Sequence, residues 1–223
     1  MSSNHQTTQP IRARWARARA RGFTLIELLV VVILIGLLAV MAVPSMSAAQ
    51  MDRHVYEDAA NIQDMIRDAH ARAIGRGGAT MVMLSTKSTN GTFVSYEMRA
   101  DVDGGQNLPL TGCKAPTSWL DLKNLNAITV ASIDNDYEQR NNIKATIVGP
   151  DGKATDEAYL CFTSAGRTFY STSRSFEGET TMAAAIRIQV AHFAASSGTE
   201  TIGIVRNVLV PPSGAARVVS GAP

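Results

Sequence analysis

Arg19-Ala20-Arg21-Gly22-Phe23-Thr24-Leu25-Ile26-Glu27 opens onto Leu28-Leu29-Val30-Val31-Val32-Ile33-Leu34-Ile35-Gly36-Leu37-Leu38-Ala39-Val40-Met41-Ala42-Val43-Pro44. From Phe23 to Val43 there are 21 residues and a single formal charge, Glu27. At about 1.5 Å per residue this run makes about 31 Å of helix, which matches a bilayer core of about 30 Å. A carboxylate inside such a run costs about 2.5 kcal/mol or more, so Glu27 calls for a partner. The plainer alternative is a single-pass anchor with one tolerated acid near its end. If Glu27 meets an ammonium group, the cost falls and the pair sets register between packed helices.

The flanks bear on orientation. Residues 1–22 hold five arginines (Arg12, Arg14, Arg17, Arg19, Arg21) and no acid. A nucleic-acid arm would have this composition, but so does a cytoplasmic positive flank, which would leave the rest of the chain periplasmic or exterior. A secretory signal peptide fits poorly, because Val43-Pro44-Ser45 is a weak cleavage site and the apolar run is long. The overall charge of +2 comes from this leader. Without it, 16 Lys+Arg face 19 Asp+Glu (21 − 5 = 16), a balance of −3. A body of that sign has no general attraction for nucleic acid.

Beyond Pro44, Val55, Ala59, Ile62, Ile66, Ala69 and Ala73 recur at helical spacing, with charged residues between them. Gly75-Arg76-Gly77-Gly78 reads as the stop. One helix over Phe23–Ile74 is expected, kinked or locally melted at Pro44. Strand patterns follow at Thr80–Leu84, Thr92–Met98, Ala127–Ile133, Ile143–Val148, Tyr159–Thr163, Arg167–Ser171, Ala185–His192 and Thr201–Val210. Asn90-Gly91 marks a hairpin between the first two. Residues 100–126 read as irregular, and Pro211-Pro212-Ser213-Gly214 opens a small-residue tail. The expected fold is α+β: a long N-terminal helix, membrane-spanning in its first half and amphipathic in its second, packed on seven or eight antiparallel strands in a β-sandwich-like body. The expected divisions are a cleaved leader 1–22, an assembly helix 23–44, its amphipathic continuation 45–75 and a β-rich body 79–223.

Gly22-Phe23-Thr24-Leu25-Ile26-Glu27, between a basic flank and an apolar run, resembles the N-terminal signature of type IV prepilins and pseudopilins. The resemblance implies cleavage by prepilin peptidase between Gly22 and Phe23 and N-methylation of Phe23. It also implies that Glu27 pairs with the N-terminal amine of a neighbouring subunit. Gly36 and Pro44 fall where pilins often bend. The implied partners are other minor and major pilins, met through the N-terminal helix, with residence in the inner membrane before assembly. The β-rich body resembles the GspH/FimT group of minor pilins, on Leu160-Cys161-Phe162-Thr163-Ser164-Ala165-Gly166-Arg167 and, more loosely, on Val205–Val210 with the Gly214–Val218 tail. Membership there leaves open a type IV pilus or a type II secretion pseudopilus. Some members of the group bind DNA through basic residues near the C-terminus. The candidates here are Arg206 and Arg217, with Arg187 beside them. Gly214-Ala215-Ala216-Arg217 departs from the group's Gly-Arg-Arg tail.

Catalytic chemistry finds little support. No H-E-x-x-H, G-x-S-x-G or phosphate-binding glycine loop is present. His5, His54, His70 and His192 are scattered. Asp101-Val102-Asp103-Gly104-Gly105-Gln106-Asn107 has alternating oxygen donors, but the twelfth position is Gly112 rather than a bidentate glutamate. Asp134-Asn135-Asp136 is a weaker case. No cofactor and no metal is expected. Cys113 and Cys161 can bridge in an oxidising compartment, worth roughly 4 kcal/mol for a loop of this length; the alternative is two separate thiols.

Overall fold

A computed structural model describes residues 22–87, 91–97, 99–102, 106–109, 112–113, 127–133, 142–174, 176, 180–194 and 200–221. Several expectations fall outside these residues: the leader arginines, His5, Asn90, Asp103–Gly105 of the calcium-like loop, and Asp134–Asp136.

The chain divides into two compact units at Pro44/Ser45. Helix α1 runs over Leu25–Arg76 without interruption. The helix is therefore not melted at Pro44, although proline there removes the donor that would bond Val40 C=O. Among the described residues, no helix is long and apolar enough to cross a membrane. Of the apolar run Phe23–Val43, side chains are described only as far as Val40. The helix ends where Gly77 takes φ +68°, the left-handed C-terminal cap that glycine adopts without a Cβ penalty.

Among the described residues thirteen strands follow: β1 (Thr80–Ser85), β2 (Thr92–Glu97), β3 (Arg99–Val102), β4 (Gln106–Pro109), β5 (Ala127–Ser132), β6 (Ile143–Val148), β7 (Ala154–Thr155), β8 (Glu157–Phe162), β9 (Thr168–Ser171), β10 (Thr180–Thr181), β11 (Ile186–Phe193), β12 (Thr201–Val210) and β13 (Arg217–Gly221). They form a six-stranded sheet β10-β9-β8-β1-β2-β5, a five-stranded sheet β13-β12-β11-β6-β7 and the ribbon β3-β4. All pairings are antiparallel.

The expected β1–β2 hairpin forms, with Ser85 paired to Thr92. Two expectations change. The segment expected to be irregular contains β3 and β4. The tail contains β13, paired to β12 from Leu209↔Arg217 to Val205↔Gly221.

The apolar face of α1 supplies Val55, Ala59, Ile62, Met65, Ile66, Ala69 and Ala73 to one core. The inner face of the six-stranded sheet adds Val82, Leu84, Phe93, Leu160 and Phe162, and the five-stranded sheet adds Ile143, Ile147, Ile186, Ile188, Val190 and Val208. Alanines on the helix let its backbone approach the sheets closely, at the cost of tolerance to larger side chains. Strand alternation places Met81, Val94, Tyr96, Tyr159 and Cys161 on the opposite face of the six-stranded sheet. There Cys161 is disulfide-bonded to Cys113, with Cα atoms 5.9 Å apart, and both residues are buried. The bridge fastens the Cys113 segment over this second core, which Phe176 also enters.

Polar groups tie α1 to the far strands. Asp52 Oδ1 accepts from Ile204 N at 2.9 Å, Gln63 Oε1 from Val218 N at 2.8 Å, and Arg67 Nε donates to Ala216 O at 2.8 Å. Gly203 has φ +77°, and a Cβ there would lie 2.4 Å from Asp52 Oδ1, so only glycine fits.

Candidate functional site

The start of α1 is built by Thr24. Its carbonyl accepts from Glu27 N at 3.1 Å and Leu28 N at 3.2 Å, and its hydroxyl accepts from Glu27 N at 3.3 Å. Thr24 is thus the N-cap and Glu27 the third helical residue, the T-x-x-E arrangement of a capping box. Thr24 is a residue the sequence analysis missed, although the T-x-x-E spacing announces it. Glu27 lies in the first turn, where the helix dipole favours negative charge by about 0.3–1 kcal/mol. This local role is small beside the cost of placing a carboxylate in hydrocarbon.

Among the described residues, the side chains that follow have no intramolecular partner surface. Fourteen large hydrophobics between Phe23 and Val40 are each 46–84 % exposed, on every side of the helix. Each is worth about 1.5–3 kcal/mol when fully buried, so at this partial exposure roughly 13–26 kcal/mol of burial is unrealised. A helix apolar all round belongs inside a larger assembly or a membrane.

Two glycines sharpen this. A Cβ on Gly22 or on Gly36 would meet nothing within 4 Å, and neither has a positive φ. Gly36 sits inside a helix, where glycine costs about 1 kcal/mol relative to alanine. Among the described residues, neither packing nor backbone conformation asks for these glycines.

The structure separates the two candidate DNA-contact arginines. Arg206 pairs with Val190 on the helix side of the five-stranded sheet. Its guanidinium lies 5.5 Å from the centroid of the Tyr56 ring, and Nη1 donates to Ser220 Oγ at 2.9 Å. Arg217 pairs with Leu209, which also pairs with Arg187, so Arg187 and Arg217 share one row on the opposite face. Both are exposed and stand two strands apart, about 9.5 Å. Lys144, exposed on the same face, lies over the Phe193 ring at 5.6 Å.

Elsewhere one polar cluster is paired within the chain. Lys87 Nζ and Tyr159 Oη both donate to the Glu157 carboxylate, and these bonds hold Glu157 below the usual carboxylate range. A cleft of about 260 Å³ is lined by Pro150, Asp151, Tyr170, Thr181, Met182 and Ala183, with no nucleophile–base pair among them. Among the described residues no three His, Cys, Asp or Glu side chains gather as a metal site.

Residues 17–43 match the family described as the prokaryotic N-terminal methylation motif. No curated protein matches the chain. Among solved structures, the type IV minor pilin FimU of Pseudomonas aeruginosa is similar over 76% of this chain and 90% of that one, at 9% identity and a TM-score of 0.39. The chain joins this N-terminal methylation motif to an N-terminal helix whose second half packs on antiparallel β-sheets.

Proposed function

We propose that this chain is a non-enzymatic minor pilin of the GspH/FimT type that helps prime or cap a type IV pilus. It enters the inner membrane as a precursor, with the arginine-rich leader 1–22 cytoplasmic and the β-rich body periplasmic. Prepilin peptidase cuts between Gly22 and Phe23, and Phe23 is methylated. The helix Phe23–Val43 leaves the bilayer for the filament, where it packs against the helices of other pilins. Glu27 meets the N-terminal amine of a neighbour, which offsets the cost of an apolar surrounding and sets the axial register. The observation that carries this proposal is the exposed apolar helix with Glu27 in its capped first turn, next to the methylation motif over residues 17–43.

The experiment is a deletion strain scored for surface pili, twitching and secreted proteins. Loss of pili with normal secretion supports this function. Loss of secretion with normal pili assigns the chain to a type II secretion pseudopilus instead. A DNA-uptake role is favoured by one observation, the exposed Arg187–Arg217 row beside Lys144. Three cations on a net-acidic body make few phosphate contacts, so DNA binding by the mature chain should be weak even at low ionic strength and change little with salt.

A further inference from the structure

The two sheets meet at the cleft of about 260 Å³. The β6–β7 turn of the five-stranded sheet supplies Pro150 and Asp151. The six-stranded sheet supplies Tyr170 of β9, Thr181 of β10 and the Met182-Ala183 that follow. The turn is fixed by its own bonds: Gly149 N donates to Lys153 O at 2.8 Å, Gly152 N to Gly149 O at 3.0 Å, and Lys153 N to Asp151 Oδ1 at 3.1 Å. Met182 belongs to the main core and Tyr170 packs against it. The cleft therefore has a fixed wall and a packed floor.

Gly149 keeps the polar end open. A Cβ there would lie 2.8 Å from Tyr170 Oη and 2.9 Å from Asp151 Oδ1. Its φ is not positive, so space and not backbone conformation calls for glycine. The hydroxyl and the carboxylate converge on this one point. Burial first, and then the Asp151 charge, raise the pKa of Tyr170 above its ordinary 10.0. Among the described residues Asp151 makes no ion pair and the Tyr170 hydroxyl no hydrogen bond. Two oxygens thus face an apolar cleft with no cation between them.

The chemistry selects an occupant. At about 260 Å³ the cleft is smaller than the roughly 300–1,000 Å³ of sites for whole small molecules, so one large side chain suits it. β7 and β10 have two residues each, too short an edge to pair with an incoming strand. A neutral apolar group would cover the carboxylate without pairing it, which is unfavourable. A lysine ammonium is a compact point charge, whereas a planar guanidinium donates to two oxygens at once and stacks on an aromatic ring. Ala154 and Ala183–Ala185 beside the cleft are exposed, so another protein surface can approach without displacing long side chains.

We propose that this cleft takes one arginine side chain of a neighbouring pilin subunit. The guanidinium sits between the Asp151 carboxylate and the Tyr170 hydroxyl, and the stem lies along Met182, Pro150 and Ala183. The subunit as source rests on the proposed pilin function; the arginine site itself does not.

The test titrates the full-length protein in detergent micelles with N-acetyl-arginine methylamide, read by amide NMR shifts at Gly149, Gly152 and Ala183. The citrulline analogue keeps the shape without the charge, and the lysine analogue keeps the charge without the planar fork. The result expected is saturable shifts from the arginine probe and at least about tenfold weaker binding of the other two. Asp151→Asn and Gly149→Ala should lose the arginine probe while their other amide signals match the native protein. Equal affinity for the citrulline probe, or unchanged affinity in Asp151→Asn, would overturn the site. In cells, the native chain, Asp151→Asn and Asp151→Glu are compared by immunoblot of sheared pili. Asp151→Asn should enter filaments several-fold less than the native chain while still being cut to mature size, with Asp151→Glu between them. Normal incorporation of Asp151→Asn would overturn the subunit as occupant and leave the pilin function intact. Absence of the native chain from filaments would overturn that function and the subunit with it, and the titration decides the arginine site independently.

Discussion

Reducing the Cys113–Cys161 bridge should lower the stability of the β-rich body by about 4 kcal/mol. The bridge closes a loop of sequence separation 48. In the chain-entropy relation that removes about 14 cal/mol/K from the unfolded ensemble, or about 4 kcal/mol at 25 °C. For a body of this size each 1 kcal/mol moves the midpoint by about 2–4 °C, so a drop of about 8–16 °C is expected. Both sulfurs are buried, so the Cys113→Ala/Cys161→Ala variant also leaves small voids and should fall slightly further than the reduced wild type. The assay is thermal unfolding by circular dichroism of oxidised protein, reduced protein and the double variant. Two of the three samples share the native sequence, which separates the cross-link from the side chains. Coincident midpoints for oxidised and reduced protein would refute the reasoning, because the Cys113 segment would then be held over Met81, Tyr96 and Tyr159 without the bond.

Glu27→Val should insert into membrane at least as well as the native chain, since a cost of about 2.5 kcal/mol or more is removed. It should nevertheless fail to enter filaments, and normal incorporation on immunoblots of sheared pili would contradict the charge-pair role. Gly22→Val meets no clash among the described residues. It should therefore fold and insert normally yet stay at precursor size, as gel mobility would show. Burial lowers the pKa of His192 from its ordinary 6.5, with nearby Asp52 opposing the shift. The unfolded chain then binds the proton first, so stability should fall as pH drops below about 6.5. His192→Gln should flatten this part of a denaturant midpoint-versus-pH curve, and an unchanged slope would contradict the assignment.

The N-terminal half of α1 was legible in the sequence because its signal is local: an apolar run, a basic flank and one acid. The second half was legible for the same reason, as Val55, Ala59, Ile62 and Ile66 repeat at helical spacing. Most strands were visible as alternations within a residue or two of their ends. β13 was hidden, because Arg217-Val218-Val219 is short and sits among Gly, Ala and Pro. What holds it includes Gln63 and Arg67, about 150 residues away. The pairing of β1 with β8 is likewise decided by packing across distant segments. The arginine candidates show the same limit. Proximity to the C-terminus grouped Arg206 with Arg217, whereas strand register groups Arg217 with Arg187 and turns Arg206 toward Tyr56. Thr24 is the opposite case, a capping residue with a fully local signature.

The measurement that tests the central claim most directly is mass spectrometry of the N-terminal peptide from the membrane fraction of cells making the native chain. The account predicts a peptide that begins at Phe23, carries one methyl group on its α-amine and ends beyond Glu27. A mature protein that retains residues upstream of Gly22, or that begins after Val43, would contradict it.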